Sequence, residues 1–269
     1  MSNNSYIGVF DSGIGGLTVV KSIIEWMPEE NIIYFGDTAH VPYGTRSRRQ
    51  ILQYVLSDVK FLRTFDIKAV VIACNTADSV AREAVEEANP DLPVFGVVDP
   101  ASRMAAEATK NGKIGVIATK ATVGSGAYDK AIAKYAPQAE VLSAACPLLV
   151  PLVENGRFEV GDVVIETVIK EYLDPLTEQG IDTLVLGCTH YPLLNDVIRH
   201  LYPELNVISS SDAAAAKMLG TLIQNDLCSN EPGSSRKYFV SDDAEGVDKL
   251  ARVFMGEELG GTFQQASVE

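Results

Sequence analysis

The sequence predicts an α/β protein made of two related halves with mainly parallel sheets. Short apolar runs alternate with amphipathic stretches along the chain, and three segments recur in one order at nearly constant spacing. Strand–helix alternation is the mark of crossover units, which build parallel sheets.

In chain order, the strand candidates are residues 6–10, 31–35, 69–74, 94–98, 113–118, 139–142, 183–187, 206–209 and 238–241. Most of the early ones are apolar throughout and rich in β-branched residues, as strands covered on both faces should be. Between them the periodicity predicts helices at 16–26, 47–64, 79–88, 101–110, 126–135, 160–178, 193–201, 213–224 and 245–255. The segment 228–236, rich in Ser, Asn, Pro and Gly, reads as an exposed loop.

The internal repeat ties these elements together. Ile7-Gly8-Val9-Phe10-Asp11-Ser12 is matched 107 residues later by Ile114-Gly115-Val116-Ile117-Ala118-Thr119. Val71-Ile72-Ala73-Cys74-Asn75-Thr76 is matched 114 residues later by Val185-Leu186-Gly187-Cys188-Thr189-His190, and 94–99 is matched 113 residues later by 207–212. If the halves face each other, a ligand sits between them, outside the carboxyl ends of the strands. Two equivalent strand ends then present two similar residues from opposite sides.

Composition narrows the class. A chain of 269 residues is one large domain or two ordinary ones, and 46% hydrophobic with 22% charged residues suits a globular protein with a sizeable core. The formal net charge of −14 offers phosphates no basic stripe, so no nucleic-acid partner is expected. No apolar run approaches the roughly 18 residues of a membrane span, so no membrane partner is expected either. The opening Met1-Ser2-Asn3-Asn4-Ser5 has neither the basic nor the apolar region of a signal peptide, which points to a reducing cytoplasm. Four cysteines without a C-x-x-C make neither a disulfide framework nor a metal knuckle.

Cys74 and Cys188 each close an apolar strand and precede a helical stretch. Unpaired N–H groups and the helix dipole there are expected to favour a thiolate. Both carry polar followers, Asn75-Thr76 and Thr189-His190, at equivalent places in the repeat, which core filler would not need. Cys146, inside Ala144-Ala145-Cys146-Pro147-Leu148, fits filler better, and Cys228 lies in the polar loop.

Asp11-Ser12-Gly13-Ile14-Gly15-Gly16 follows a strand and opens a helix, with glycines that let backbone approach a ligand. A dinucleotide fingerprint would need a third glycine where Thr18 stands. The other reading is a cradle for a carboxylate or amino acid, with Asp11 and Ser12 facing the ligand. Pro42-Tyr43-Gly44 lies on the same sheet edge. His190 with Cys188 could begin a metal site, but no further ligand at useful spacing follows, so no metal is expected.

Asp-Ser-Gly-x-Gly-Gly at 11–16, Pro-Tyr-Gly at 42–44, Cys-Asn-Thr-Ala at 74–77 and Gly-Cys-Thr-His-Tyr at 187–191 together resemble the glutamate racemase family. Order and spacing match from Ile7 to about Met255. The wider aspartate/glutamate racemase group shares the paired cysteines; the detailed motifs favour glutamate. The resemblance implies two α/β domains related by pseudo-twofold symmetry with the active site in the cleft between them. The first domain would span 1–98 and be completed by 209–269; the second would span 99–208.

By the same resemblance, Cys74 and Cys188 match the acid/base pair. Asp11, Ser12, Tyr43, Gly44, Asn75, Thr76, Thr189 and His190 match substrate-contacting positions. Glu154, in the less distinctive Pro151-Leu152-Val153-Glu154-Asn155-Gly156, matches an assisting carboxylate. The implied protein is a cytoplasmic homodimer that racemises glutamate without a cofactor and supplies D-glutamate to peptidoglycan. The residues suit that chemistry, because racemisation needs a base on one face of the α-carbon and an acid on the other. Asp11 beside Cys74 and His190 beside Cys188 are placed to manage the protons.

The rivals are an aspartate racemase, a related decarboxylase, a dinucleotide enzyme and a two-domain binding protein. The decarboxylase relatives keep one of the two cysteines. The duplicated cysteine positions count against the binding protein.

Overall fold

The structure is a computed structural model that describes residues 3–231 and 234–267, save the side chains of 257 and 258. Met1 and Ser2 of the polar N-terminus, and Pro232 and Gly233 of the 228–236 loop, lie outside the described residues.

Among the described residues ten strands form two sheets: β1 Tyr6–Asp11, β2 Ile32–Gly36, β3 Ile67–Ile72, β4 Val94–Gly96, β5 Lys113–Ala118, β6 Glu140–Ala145, β7 Thr183–Gly187, β8 Asn206–Ser209, β9 Arg236–Val240 and β10 Phe263–Gln265. The first sheet runs β10-β9-β2-β1-β3-β4 and the second β6-β5-β7-β8. Every strand pair is parallel.

The helices are α1 Leu17–Trp26, α2 Arg48–Leu62, α3 Asn75–Ala88, α4 Val98–Ala108, α5 Lys120–Ser125, α6 Ala127–Tyr135, α7 Leu149–Glu154, α8 Val163–Thr177, α9 Asn195–Leu201, α10 Ser210–Gln224 and α11 Val247–Met255. All nine strand readings and all nine helix readings fall on observed elements, with ends shifted by a few residues. The strand reading of 94–98 was too long, since β4 stops at Gly96 and α4 begins at Val98. The short elements β10, α5 and α7 gave no periodic signal, because three to six residues do not complete a pattern.

The repeat is a repeat of the sheets. In the first sheet β2-β1-β3-β4 occupy the order that β6-β5-β7-β8 occupy in the second. The pairing register is also duplicated. Val9 pairs Val71 and Phe10 pairs Ile72 in the first sheet; Val116 pairs Val185 and Ile117 pairs Leu186 in the second. Val70 pairs Val94 as Leu184 pairs Val207. Cys74 and Cys188 therefore leave their sheets at the same edge and in the same row.

One apolar core runs through both halves. It joins Ile7, Val9 and Val71 of the first sheet to Ile114, Val116 and Leu184 of the second, with α1 and α10 between. A second core, built on Phe10, Ile33 and Ile72, covers the opposite face of the first sheet beneath α2 and α3. Each such fully buried side chain contributes roughly 1.5–3 kcal/mol against exposure. The joint also carries a polar cluster. The Thr18 hydroxyl lies 2.9 Å from Ser211 Oγ and 2.9 Å from the Thr189 carbonyl, and the Ser22 hydroxyl donates to Asp212 at 2.7 Å. These bonds fix how the two carboxyl edges face each other.

Among the described residues no helix is long and apolar enough to cross a membrane.

Candidate active site

A cavity of about 360 Å³ opens between the two halves at the carboxyl edges of the strands. Both Cys74 and Cys188 line it, with Ser12, Tyr43, Gly44, Asn75, Thr76, Thr189, His190 and Glu154. Of the acid/base and substrate-contacting candidates named from the sequence, Asp11 alone is not on its wall.

Cys74 caps α3 in extended backbone, and Asn75 and Thr76 open that helix. The helix starts four residues before the sequence pattern suggested, because Asn and Thr break the apolar rhythm while facing the cavity. The Cys74 thiol donates to Ser12 Oγ at 3.4 Å. On the other side Cys188 Sγ lies 3.9 Å from His190 Nδ1, and His190 Nε2 is 2.9 Å from Glu154 Oε1. A carboxylate can only accept, so Glu154 places the imidazole hydrogen on Nε2 and leaves Nδ1 to face the thiol.

Burial works against the thiolates expected at these strand ends. Both thiols are buried, 6% exposed each. Burial pushes Cys74 up to about 12, with the negative charge of Asp11 adding to it; the Ser12 hydroxyl and the N–H groups of Ala77 and Ser12 pull it down only in part. Cys188 is pushed up further by burial, against the lowering effect of the His190 N–H, and Cys74, Asp11 and Glu154 add to the rise. The helix terminus supplies the donors that the sequence argument counted. Desolvation, which a sequence does not display, outweighs them.

Two of the named residues are held from behind the cavity wall. Asp11 is not among the residues that line the cavity. It is 1% exposed, turned under its own loop, and accepts from the Gly13 N–H at 3.0 Å. Burial raises its carboxyl; His190 and the N–H groups of Gly13, Gly16 and Ser12 oppose that rise. Its charge still bears on both thiols. Tyr43 lines the cavity, but its hydroxyl points away, into the first half, towards Asp37 and Asp58.

Gly15 also meets a packing constraint between the halves. A Cβ at Gly15 would stand 2.5 Å from the His190 ring and 2.5 Å from Thr189 Oγ1. Gly15 lets the two halves close on each other.

Sequence reasoning missed Thr119 and Lys120, which line the cavity, and Cys146, read as filler, which also touches it. Thr119 Oγ1 lies 2.9 Å from Thr76 Oγ1, and Thr122 Oγ1 completes a ring of three hydroxyls across the cleft. The signal was present: Thr119 is the repeat partner of Ser12. Among the described residues no group of three His, Cys, Asp or Glu is arranged to hold a metal ion.

Two facing parallel half-sheets, each delivering a thiol to one shared cavity, define the class of protein. A family model described as Asp/Glu/hydantoin racemase matches residues 7–218. A relative from Persephonella marina, named glutamate racemase, is 46% identical over 94% of both chains. The crystal structure of glutamate racemase from Francisella tularensis with D-glutamate is 36% identical, covers 99% of each chain and superposes with a TM-score of 0.92. That of Escherichia coli glutamate racemase with L-glutamate and the activator UDP-MurNAc-ala is 31% identical, covers 98% of this chain and 99% of its own, and gives a TM-score of 0.79. The chain belongs to the Asp/Glu/hydantoin racemase family and, within it, to the glutamate racemases.

Proposed function

We propose that this chain interconverts L- and D-glutamate by passing the α-proton between Cys74 and Cys188. The observation that carries the reading is the duplicated register: two equivalent strand ends bring two thiols to one cavity from opposite halves. One sulfur, as thiolate, takes the α-proton from its face of the substrate. The other, as thiol, gives its proton to the opposite face. The first then ends as thiol and the second as thiolate, ready for the reverse reaction.

Burial raises both thiols, so the proposed path couples ionisation of the basic sulfur to substrate binding. Only the sulfur that acts as base in a given direction gives up its proton, Cys74 towards Ser12 and Asp11 or Cys188 towards the His190–Glu154 pair, while the opposite sulfur keeps its own. The substrate ammonium offsets part of the cost of a buried thiolate. Ser12, Gly44, Asn75, Thr76 and Thr189, with the backbone of Tyr43, hold the two carboxylates and the ammonium. Fixed donors in a closed, low-dielectric cavity stabilise the developing carbanion, and no pyridoxal, metal or other cofactor takes part. Holding the α-carbon between the sulfurs removes much of the orientational cost, roughly 7–11 kcal/mol at the limit.

The wider setting belongs to the same proposal. The protein acts in the cytoplasm as a homodimer and provides D-glutamate for peptidoglycan. Its domains are 1–98 with 209–269, and 99–208; both junctions lie close to where the chain passes from one sheet to the other.

The test is a polarimetric assay of EDTA-dialysed protein on each enantiomer of glutamate and of aspartate. Both glutamate enantiomers should be converted and aspartate left unchanged. Turnover of aspartate in place of glutamate, or activity restored only by added metal or pyridoxal phosphate, would overturn the reading.

A further inference from the structure

Beneath the Tyr43–Gly44 wall of the cavity lie two buried carboxyls that the proton transfer does not use. Asp37 follows β2 and Asp58 sits within α2; each is 1% exposed. They share one phenol. Tyr43 Oη is 2.6 Å from Asp37 Oδ2 and 3.0 Å from Asp58 Oδ2. A phenol carries one hydrogen, so it donates to one carboxyl and needs a proton from the other. Without that second proton, two lone-pair oxygens would confront each other in a dry interior.

The remaining contacts decide which carboxyl holds the proton. Asp37 is ringed by donors: the Ser241 hydroxyl at 2.7 Å, and His40 Nδ1 at 2.8 and 2.9 Å from its two oxygens. The Ala39 N–H donates to Ser241 Oγ at 2.9 Å, which leaves the serine hydrogen for Asp37. Such a set suits a carboxylate. The Asp58 carboxyl has the phenol as its one hydrogen-bond partner among the described residues. The charges that act on it, Asp37 and Asp11, are both negative; with burial they hold its carboxyl well above the usual carboxylate range, against the pull of Tyr43. His40, beside Asp37, also stacks on Tyr54 of α2 with ring centroids 4.1 Å apart.

We propose that Asp58 is a positioning residue: as a neutral acid it donates to Tyr43, Tyr43 donates to Asp37, and this chain holds the Tyr43–Gly44 wall in its glutamate-binding form. Loss of the Asp58 proton sets it against both the phenol oxygen and Asp37, and the wall shifts. The consequence is a substrate affinity that falls as pH rises, with the chemistry at the sulfurs less affected.

The inference rests on the cavity being the glutamate site, so its test has one arm that needs no substrate. In the infrared spectrum, the C=O band of a protonated carboxyl should be present in the wild type and lost in Asp58→Asn. In the second arm, KM for glutamate is followed against pH. The wild type should show an alkaline rise that Asp58→Asn lacks, since its amide still donates to the phenol and cannot ionise. Asp58→Leu, with no donor, should hold KM about tenfold above the wild-type value at neutral pH, the scale of one buried hydrogen bond, and should lack the alkaline rise, with a much smaller change in kcat. An Asp58→Asn enzyme that keeps the alkaline rise, or no carboxyl band lost with Asp58, would overturn the proposal. Inactivity of the wild type towards glutamate would overturn the functional reading and leave the infrared assignment standing.

Discussion

The Tyr128 hydroxyl donates to Asn75 Oδ1 at 2.6 Å, so a helix of the second half grips the residue next to Cys74 in the first. Asn75 Nδ2 in turn donates to Ser210 Oγ at 3.3 Å, and the Ser210 hydroxyl donates to the Leu186 carbonyl at 2.9 Å. A backbone carbonyl only accepts, so each hydrogen in this chain has one direction and the Asn75 amide has one orientation. Its second N–H hydrogen is left for the cavity. In Tyr128→Phe the buried Oδ1 loses its donor. We expect KM for glutamate to rise about tenfold with a smaller fall in kcat, and stability to drop by roughly 1–3 kcal/mol. Steady-state kinetics and thermal unfolding read both; an unchanged KM would show that Asn75 is not held this way.

The thiols make a prediction about pH. With Cys74 near 12, its thiolate fraction at pH 8 is on the order of a thousandfold below that of a free cysteine. Alkylation of the unliganded protein by iodoacetamide should be slow in that proportion and should quicken about tenfold per pH unit. Because the folded-state value is raised, the neutral thiol's stabilisation is fully present below about pH 8.5 and is lost as pH climbs towards about 12. Cys74→Ser should lessen that alkaline loss in denaturant titrations, and should abolish racemisation in both directions, as Cys188→Ser should. Cys228→Ser, in the distant polar loop, should keep its activity. Rapid alkylation of both active-site thiols at neutral pH would contradict the burial argument.

Gly15→Ala places a methyl group into the His190 ring and the Thr189 hydroxyl. The backbone on both sides is fixed by the Thr18 bonds, so the imidazole must move off Cys188. A displacement near 1 Å at a reacting group costs on the order of a hundredfold in rate. The expected result is a kcat reduced on that scale in a protein whose circular dichroism is native. A variant within twofold of wild type would mean that the contact yields elsewhere.

The fate of the proton tests the two-sided mechanism. When L-glutamate is converted in D₂O and the reaction is stopped early, D-glutamate should carry α-deuterium while recovered L-glutamate stays protiated. The new hydrogen comes from the opposite thiol, already exchanged with solvent. Starting from D-glutamate should give the mirror result. Mass spectrometry of the separated enantiomers decides the matter; early label in the starting enantiomer points to a single base reaching both faces.

The repeat was legible in sequence because buried parallel strands tolerate few residue types, and the chain kept those types in the same register twice. It placed Cys74 opposite Cys188, and it could have placed Thr119 opposite Ser12. What stayed hidden depends on neighbours far apart in the chain. The direction of the Tyr43 hydroxyl is set by Asp58, on another helix. The upward push on both thiols is set by how completely both halves exclude water. The turn of Asp11 under its loop follows from backbone N–H groups that no side-chain pattern reports. Glu154 was marked by a weak motif, and its hydrogen bond to His190 spans 36 residues of sequence.

The two halves share a register but not their polar residues: Asp11 answers to Ala118, and Thr76 to His190. Each sulfur therefore works in its own company, Ser12 beside one, His190 and Glu154 beside the other. Yet enantiomers have equal free energy in water, so the equilibrium constant of a racemase is one. Whatever the two neighbourhoods do, kcat/KM must come out equal in the two directions. An unequal pair of thiols can make one direction turn over faster only by binding its substrate more weakly in the same proportion. The asymmetry of this site is thus free to set which enantiomer occupies the enzyme, and has no power over where the reaction ends.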